Sequence, residues 1–144
     1  MTLLDASALL SLLLGQPAET EVSALLQRGN CAIPAPCLTE VVDKLIRKHR
    51  VDPGAVSERL GPLIDETIPV VSTDPRIAWR AGELHAAHYD RRTAALSLAD
   101  CILLATAGPD DEIATSDATV IATAGKLGID VVPLPDSKGL RRGA

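Results

Sequence analysis

Phenylalanine is absent from this chain of 144 residues, and Trp79 and Tyr89 are its only Trp and Tyr. The interior must therefore be built from Leu, Val, Ile and Ala, and a surface that stacks nucleobases on aromatic rings is excluded as a main binding mode. An excess of positive charge is missing too. The formal net charge is -5, which argues against gripping duplex backbone by bulk electrostatics and leaves any nucleic-acid partner to be met by a local patch. Cysteine is scarce: Cys31, Cys37 and Cys101 are odd in number and form no C-x-x-C pair. Reduced thiols that behave as small buried apolar residues in a cytoplasmic protein are expected, not a disulfide or zinc framework. No run is long enough to span a membrane. The apolar stretch through Leu14 lacks the basic segment of a signal peptide and carries Asp5 near its start. No G-x-S-x-G elbow, G-x-x-x-x-G-K-[ST] loop or dinucleotide fingerprint occurs, so triad and nucleotide-fuelled chemistry lose support.

What the chain does have is hydrophobic residues at 47% of its length, enough for one ordinary core. A single domain over residues 1–135 with a loose tail over 136–144 is expected. Short apolar runs at Leu3–Leu4, Ala32–Ile33, Ile68–Val71, Ile113–Ala114 and Val131–Val132 read as strands. Helical patterns fall between them, over Ser7–Leu14, Glu19–Arg28, Cys37–His49, Ala55–Asp65, Arg76–His88, Ser97–Ala107 and Ala118–Leu127. Pro17, Pro36, Pro53 and Pro75 mark helix starts and Gly15, Gly29, Gly108 and Gly128 mark stops. Pro62 is expected to bend or divide the fourth helix. The alternation predicts an α/β fold around a parallel sheet, whose ligands gather beyond the carboxyl ends of the strands.

Against that background, Asp5, Glu40, Asp100 and Asp117 are out of place, each lying in a short apolar segment. Burial of an ionised carboxylate without a partner costs roughly several kcal/mol, and few Lys or Arg lie near enough in sequence to neutralise these acids locally. A divalent cation resolves the conflict. Asp5 follows the first strand and Asp117 the fourth, whereas Glu40 and Asp100 fall in the first turns of helices that can point at the same edge. Singly, Asp5 and Asp117 also fit ordinary helix N-caps, as Asp74 does, and Glu40 fits an exposed acid favoured by the helix dipole. Asp100 resists that explanation, because Leu96, Leu103 and Leu104 surround it at helical spacing. Asp43 lies one turn from Glu40 but has Arg47 at i,i+4 and is read as structural.

Lys44, Arg47, Lys48, His49 and Arg50 cluster at the end of the helix that carries Glu40. They complement its dipole, and Lys44, Arg47 and Lys48 are also candidate RNA contacts, as are Arg91 and Arg92 before the helix of Asp100. His85 and His88, at i,i+3, have no completing ligand and are read as ordinary helix residues.

Taken together, Leu4-Asp5-Ala6-Ser7-Ala8-Leu9-Leu10, Leu38-Thr39-Glu40-Val41, Leu98-Ala99-Asp100-Cys101 with Ala105-Thr106-Ala107, and Thr115-Ser116-Asp117 resemble the PIN-domain ribonucleases. The likeness is closest to the small VapC-type toxins of bacterial and archaeal toxin-antitoxin pairs, and it covers nearly the whole chain. It implies a three-layer α/β/α PIN-like fold with a central parallel sheet, Mg²⁺- or Mn²⁺-dependent endoribonuclease activity, inhibition by a cognate VapB-type antitoxin, and a homodimer. Carried over by position, Asp5, Glu40, Asp100 and Asp117 match the catalytic and metal-binding acids, with Ser7 and Thr115 as polar helpers. Two rivals remain. Haloacid-dehalogenase-like phosphatases also begin with an Asp after the first strand, but their second Asp is here Ser7. A non-catalytic partner-binding module would use the acids merely as caps.

Overall fold

The computed structural model describes residues 1–143. Its strands are β1 (Thr2–Leu4), β2 (Cys31–Pro34), β3 (Val70–Val71), β4 (Glu112–Thr115) and β5 (Asp130–Pro133). They form one five-stranded sheet in the order β3-β2-β1-β4-β5, and every pairing is parallel. Parallel strands need helical crossovers, so such a sheet is covered on both faces and its central strands read as unbroken apolar runs. β1 and β2 are buried along their whole length.

Seven helices make the crossovers: α1 (Ala6–Leu14), α2 (Glu19–Arg28), α3 (Ala35–Asp43), α4 (Pro53–Glu66), α5 (Pro75–His88), α6 (Leu98–Thr106) and α7 (Ala118–Leu127). The result is the parallel α/β sheet expected from the alternation, in the three-layer α/β/α arrangement that the resemblance implied. Without aromatics the core is aliphatic, with Leu3, Leu4, Leu9, Ile33, Leu103, Leu104 and Ile113 fully enclosed. Close packing of such side chains is what stabilises the sheet between its helices.

Four local features differ from the sequence reading. α3 begins at Ala35, immediately after β2, because Pro34 serves as the extended cap and Pro36 fits the first turn. Glu40 therefore lies in the second turn and not the first. The same helix does not run regularly to His49: a π-helical turn over Lys44–Lys48 takes over, with His49 N bonded to Lys44 O at 3.0 Å. Ile68 is buried but precedes β3; its N–H turns back to Leu63 O at 2.7 Å, ending α4. Pro62 does not divide α4, which continues through it.

Residues 136–143 fold back on the body. Asp136 Oδ1 accepts from Lys138 N and Leu140 N at 2.9 and 3.0 Å, closing a tight turn. Arg141 then reaches Glu21 with two guanidinium bonds, at 3.1 and 2.6 Å. Ala144, the end of the expected tail, lies outside the described residues. Among those residues, no helix is long and apolar enough to cross a membrane.

Candidate active site

The chain order reverses beside β1: the path runs from β1 outward to β3, then crosses to β4 on the other side. In a parallel sheet this switch point leaves a crevice at the carboxyl ends of the two central strands. Leu4 pairs in register with Ala114, and Asp5 N donates to Ala114 O at 3.1 Å. Asp5 leaves β1 at this point, and Thr115 leads β4 towards Ser116 and Asp117.

Asp5 is the most constrained acid, only 5% exposed. Its backbone is still extended while α1 begins at the next residue, so its Oδ1 caps the helix by accepting from Ala6 N at 2.7 Å. Oδ2 accepts from Ser7 Oγ at 2.8 Å and from Thr115 Oγ1 at 2.7 Å. Both hydroxyls work twice: Ser7 Oγ accepts from Ser116 N at 3.1 Å and Thr115 Oγ1 from Asp117 N at 3.0 Å. The two residues singled out as polar helpers thus fasten the β4–α7 loop to the β1–α1 junction. Thr115→Val keeps the shape but removes both bonds, leaving the Asp117 N–H without its acceptor. We expect a loss of about 1–3 kcal/mol in stability, read by urea unfolding, together with weaker metal-induced stabilisation.

Asp117 caps α7, its Oδ1 accepting from Thr119 N and Val120 N at 2.7 and 3.1 Å. Asp100 sits at the third position of α6 in a capping box: Oδ2 accepts from Ser97 N at 2.7 Å while Ser97 Oγ accepts from Asp100 N at 3.0 Å. The capping bonds use one oxygen of each of these two acids and leave the other outside them. Capping and cleft lining are therefore not alternatives here; the same carboxylates do both. Glu40, which caps nothing, comes from α3, the helix that packs directly on α1 and α6.

Asp5, Glu40, Asp100 and Asp117 line one cleft of about 320 Å³, with Ser7, Lys44, Ser116 and Arg142. Neutralising cations are closer than the sequence suggested. Lys44 Nζ stands 2.5 Å from Glu40 Oε1, and Arg142 arrives from the folded-back end of the chain. Neither cation relieves the deeper acids. Burial raises the Asp5 pKa above the ordinary carboxylate value, opposed by its hydroxyl donors and reinforced by Glu40. Burial also pushes Asp100 up to about 6, with the charges of Asp5 and Asp117 adding to it. Cys37, on the inner side of α3, registers the same field: burial first, then Asp5, Glu40 and Asp100, raise its thiol.

The remaining candidates separate. Arg47 is spent on Asp43, with Nε and Nη2 at 3.0 and 2.7 Å. Lys48 and His49 line an adjoining hollow together with Lys44. Arg91 and Arg92 flank a separate hollow with Asp90. His85 stacks on Tyr89 at 4.7 Å between ring centroids. Sequence reading missed Ser116, which only the loop geometry brings in, and Arg142, whose approach depends on the turn at Asp136.

Among the described residues, no three acidic, His or Cys groups stand close enough to enclose an ion as they are placed. The cleft nonetheless suits a hard divalent cation: its donors are carboxylate and hydroxyl oxygens, without His or Cys. Asp5 and Asp100 are also held where losing a proton is costly unless a positive charge replaces it.

A family model described as PIN domain matches residues 2–113. The chain is also similar in fold to several solved structures. One is a toxin-antitoxin complex from Klebsiella pneumoniae, at 24% identity over 92% of this chain and 96% of that one, with a TM-score of 0.63. FitAcB from Neisseria gonorrhoeae is 20% identical over 91% of this chain and 96% of that one, TM-score 0.63. DNA-bound VapBC from Salmonella typhimurium is 16% identical over 91% and 96%, TM-score 0.68. No curated protein matches.

Proposed function

Because the chain belongs to the PIN-domain family, we propose that it is a metal-dependent endoribonuclease acting as the toxin of a toxin-antitoxin pair. PIN domains are nucleases, hydrolases of phosphodiester bonds. The observation that carries the reading is that Asp5, Glu40, Asp100 and Asp117, drawn from separate segments, meet in one cleft at the switch point. Asp5 and Asp100 are the direct ligands of Mg²⁺ or Mn²⁺ in this reading, Glu40 a ligand or water-orienting base, and Asp117 a ligand of a weaker position. A cation held there supplies positive charge to the scissile phosphate and acidifies water for in-line attack. Thr115 and Ser7 hold Asp5 in one orientation, so little reorganisation remains when substrate binds. Lys44, released from Glu40, is placed to meet a phosphate oxygen. Lys48 extends that contact along the backbone, and Arg47, Arg91 and Arg92 lie further out. The toxin assignment and a VapB-type antitoxin partner are supported by similarity to solved toxin-antitoxin complexes, and a homodimer follows from the family resemblance.

Ser7 argues against the phosphatase reading, since its hydroxyl is committed to Asp5 and Ser116. The test is purified chain incubated with single-stranded RNA, with Mg²⁺ or Mn²⁺ and with EDTA. Endonucleolytic products that vanish with EDTA are expected; RNA left intact under all metals refutes the nuclease. Expression with and without the neighbouring small gene tests the partner, and growth arrest not relieved by that neighbour removes the toxin assignment.

A further inference from the structure

Two hollows adjoin the carboxylate cleft and share its walls. The larger, about 710 Å³, has Glu40 in common with it. The smaller, about 290 Å³, shares Ser7, Lys44 and Ser116. Glu40 and Lys44 are one turn apart along α3 and its π-helical extension, so the three hollows lie side by side with the acids in the middle one.

The two ends of this row are chemically unlike. At the smaller end, Lys44, Lys48 and His49 line one wall. The widened i→i+5 turn aligns residues four and five apart, while Arg47 turns away to Asp43. The larger end carries no Lys, Arg or His. Besides Glu40 it is walled by Ala35, Pro36 and Ala99, with hydroxyls from Thr39, Ser72, Thr73 and Ser97 and the carboxylate of Asp43, which is paired with Arg47. Cationic side chains therefore line the first end, beside Asp136, and the middle cleft through Arg142, but not the second end. The second offers a volume within the roughly 300–1,000 Å³ range of small-molecule sites, an aliphatic floor and hydroxyls that donate or accept as needed. Those properties suit the edge and face of an unstacked nucleobase, recognised without aromatic stacking.

We propose that a single RNA strand crosses these hollows with phosphates on one side of the cut held by Lys48 and His49, and a base on the other side seated in the hollow of Pro36, Thr39, Thr73 and Ala99. That hollow then sets the base preference of cleavage. The inference rests on the ribonuclease reading above, and one experiment separates the two. A randomised RNA pool is cleaved under single-turnover conditions in Mg²⁺ by the full chain, and the new ends are sequenced. The wild type is expected to favour one base at a single position beside the cut. Thr73→Trp and Ser72→Tyr, both in the exposed loop between β3 and α5, fill the hollow and should reduce that preference by about tenfold or more. Lys48→Ala should raise KM by about tenfold and flatten the salt dependence while leaving the base preference in place. Cleavage by both loop variants with the wild-type profile overturns the base-pocket assignment alone. Absence of metal-dependent cleavage by the wild type overturns the nuclease reading and this inference with it.

Discussion

Asp100→Asn is expected to lower metal-dependent RNA cleavage by about a hundredfold or more, as loss of a preorganised charge at a reacting centre does, while leaving the fold intact. The substitution is informative because Asn keeps an oxygen for the Ser97 N–H bond, at 2.7 Å in the wild type, so the capping box survives. What disappears is the charge, which sits close enough to Asp5 and Asp117 for both to raise the Asp100 pKa. Relief from that repulsion should make the metal-free variant more stable than the wild type at pH 7.5, by about 2–4 °C in Tm. Circular-dichroism melting and a cleavage assay on the same preparation read both effects. An active Asp100→Asn variant would remove this residue from the site. An inactive variant that melts well below the wild type would make its role structural.

Acidity should act on stability and activity in opposite directions. Asp100 is held at about 6, above the ordinary aspartate value of 3.8, so between those values the folded chain binds more protons than the unfolded one. Metal-free stability therefore rises as pH falls from 7 towards 4. Asp5, also raised, contributes in the same sense. Asp111 and Asp136 have lowered values, and their contribution is present above 3.8 and lost only below it, outside this window. Metal competes with the proton for the same oxygens. Millimolar Mg²⁺ should raise Tm at pH 8 and have little effect at pH 5, and the cleavage rate should climb through about pH 6. The wild-type minus Asp100→Asn difference in Tm isolates the group, and a difference that does not change between pH 5 and 8 contradicts the assignment.

Much of the scaffold was legible because its signals are local. The bounds of α2 and α7 agree with the sequence reading at both ends, since Gly29 and Gly128 adopt the positive φ that stops a helix. Gly108 misled: α6 ends earlier, at Thr106, through an extended Ala107. The π turn over Lys44–Lys48 was invisible, because the apolar spacing of Leu45 and Ile46 continues the helical pattern and does not distinguish a turn closed at four residues from one closed at five. Asp5 and Asp117 declared themselves by following strands, whereas the meeting of Glu40 with Asp100 depends on the packing of α3 on α6. Ser72 and Thr73 carry no sequence signal of their own and acquire interest only from the loop that brings them beside Glu40.

Asp5 and Asp117, which start α1 and α7, and Asp100, which completes the capping box of α6 begun by Ser97, are not free to drift once the chemistry is no longer needed. A silenced descendant of this gene would still favour a short oxygen-bearing side chain at positions 5 and 117 to cap its helices, and an acid or amide at position 100 to reach back to the Ser97 N–H, so such residues would persist there as fossils of the site. Glu40 starts nothing and would be the first to scatter, which makes it the better marker of whether selection still maintains the reaction.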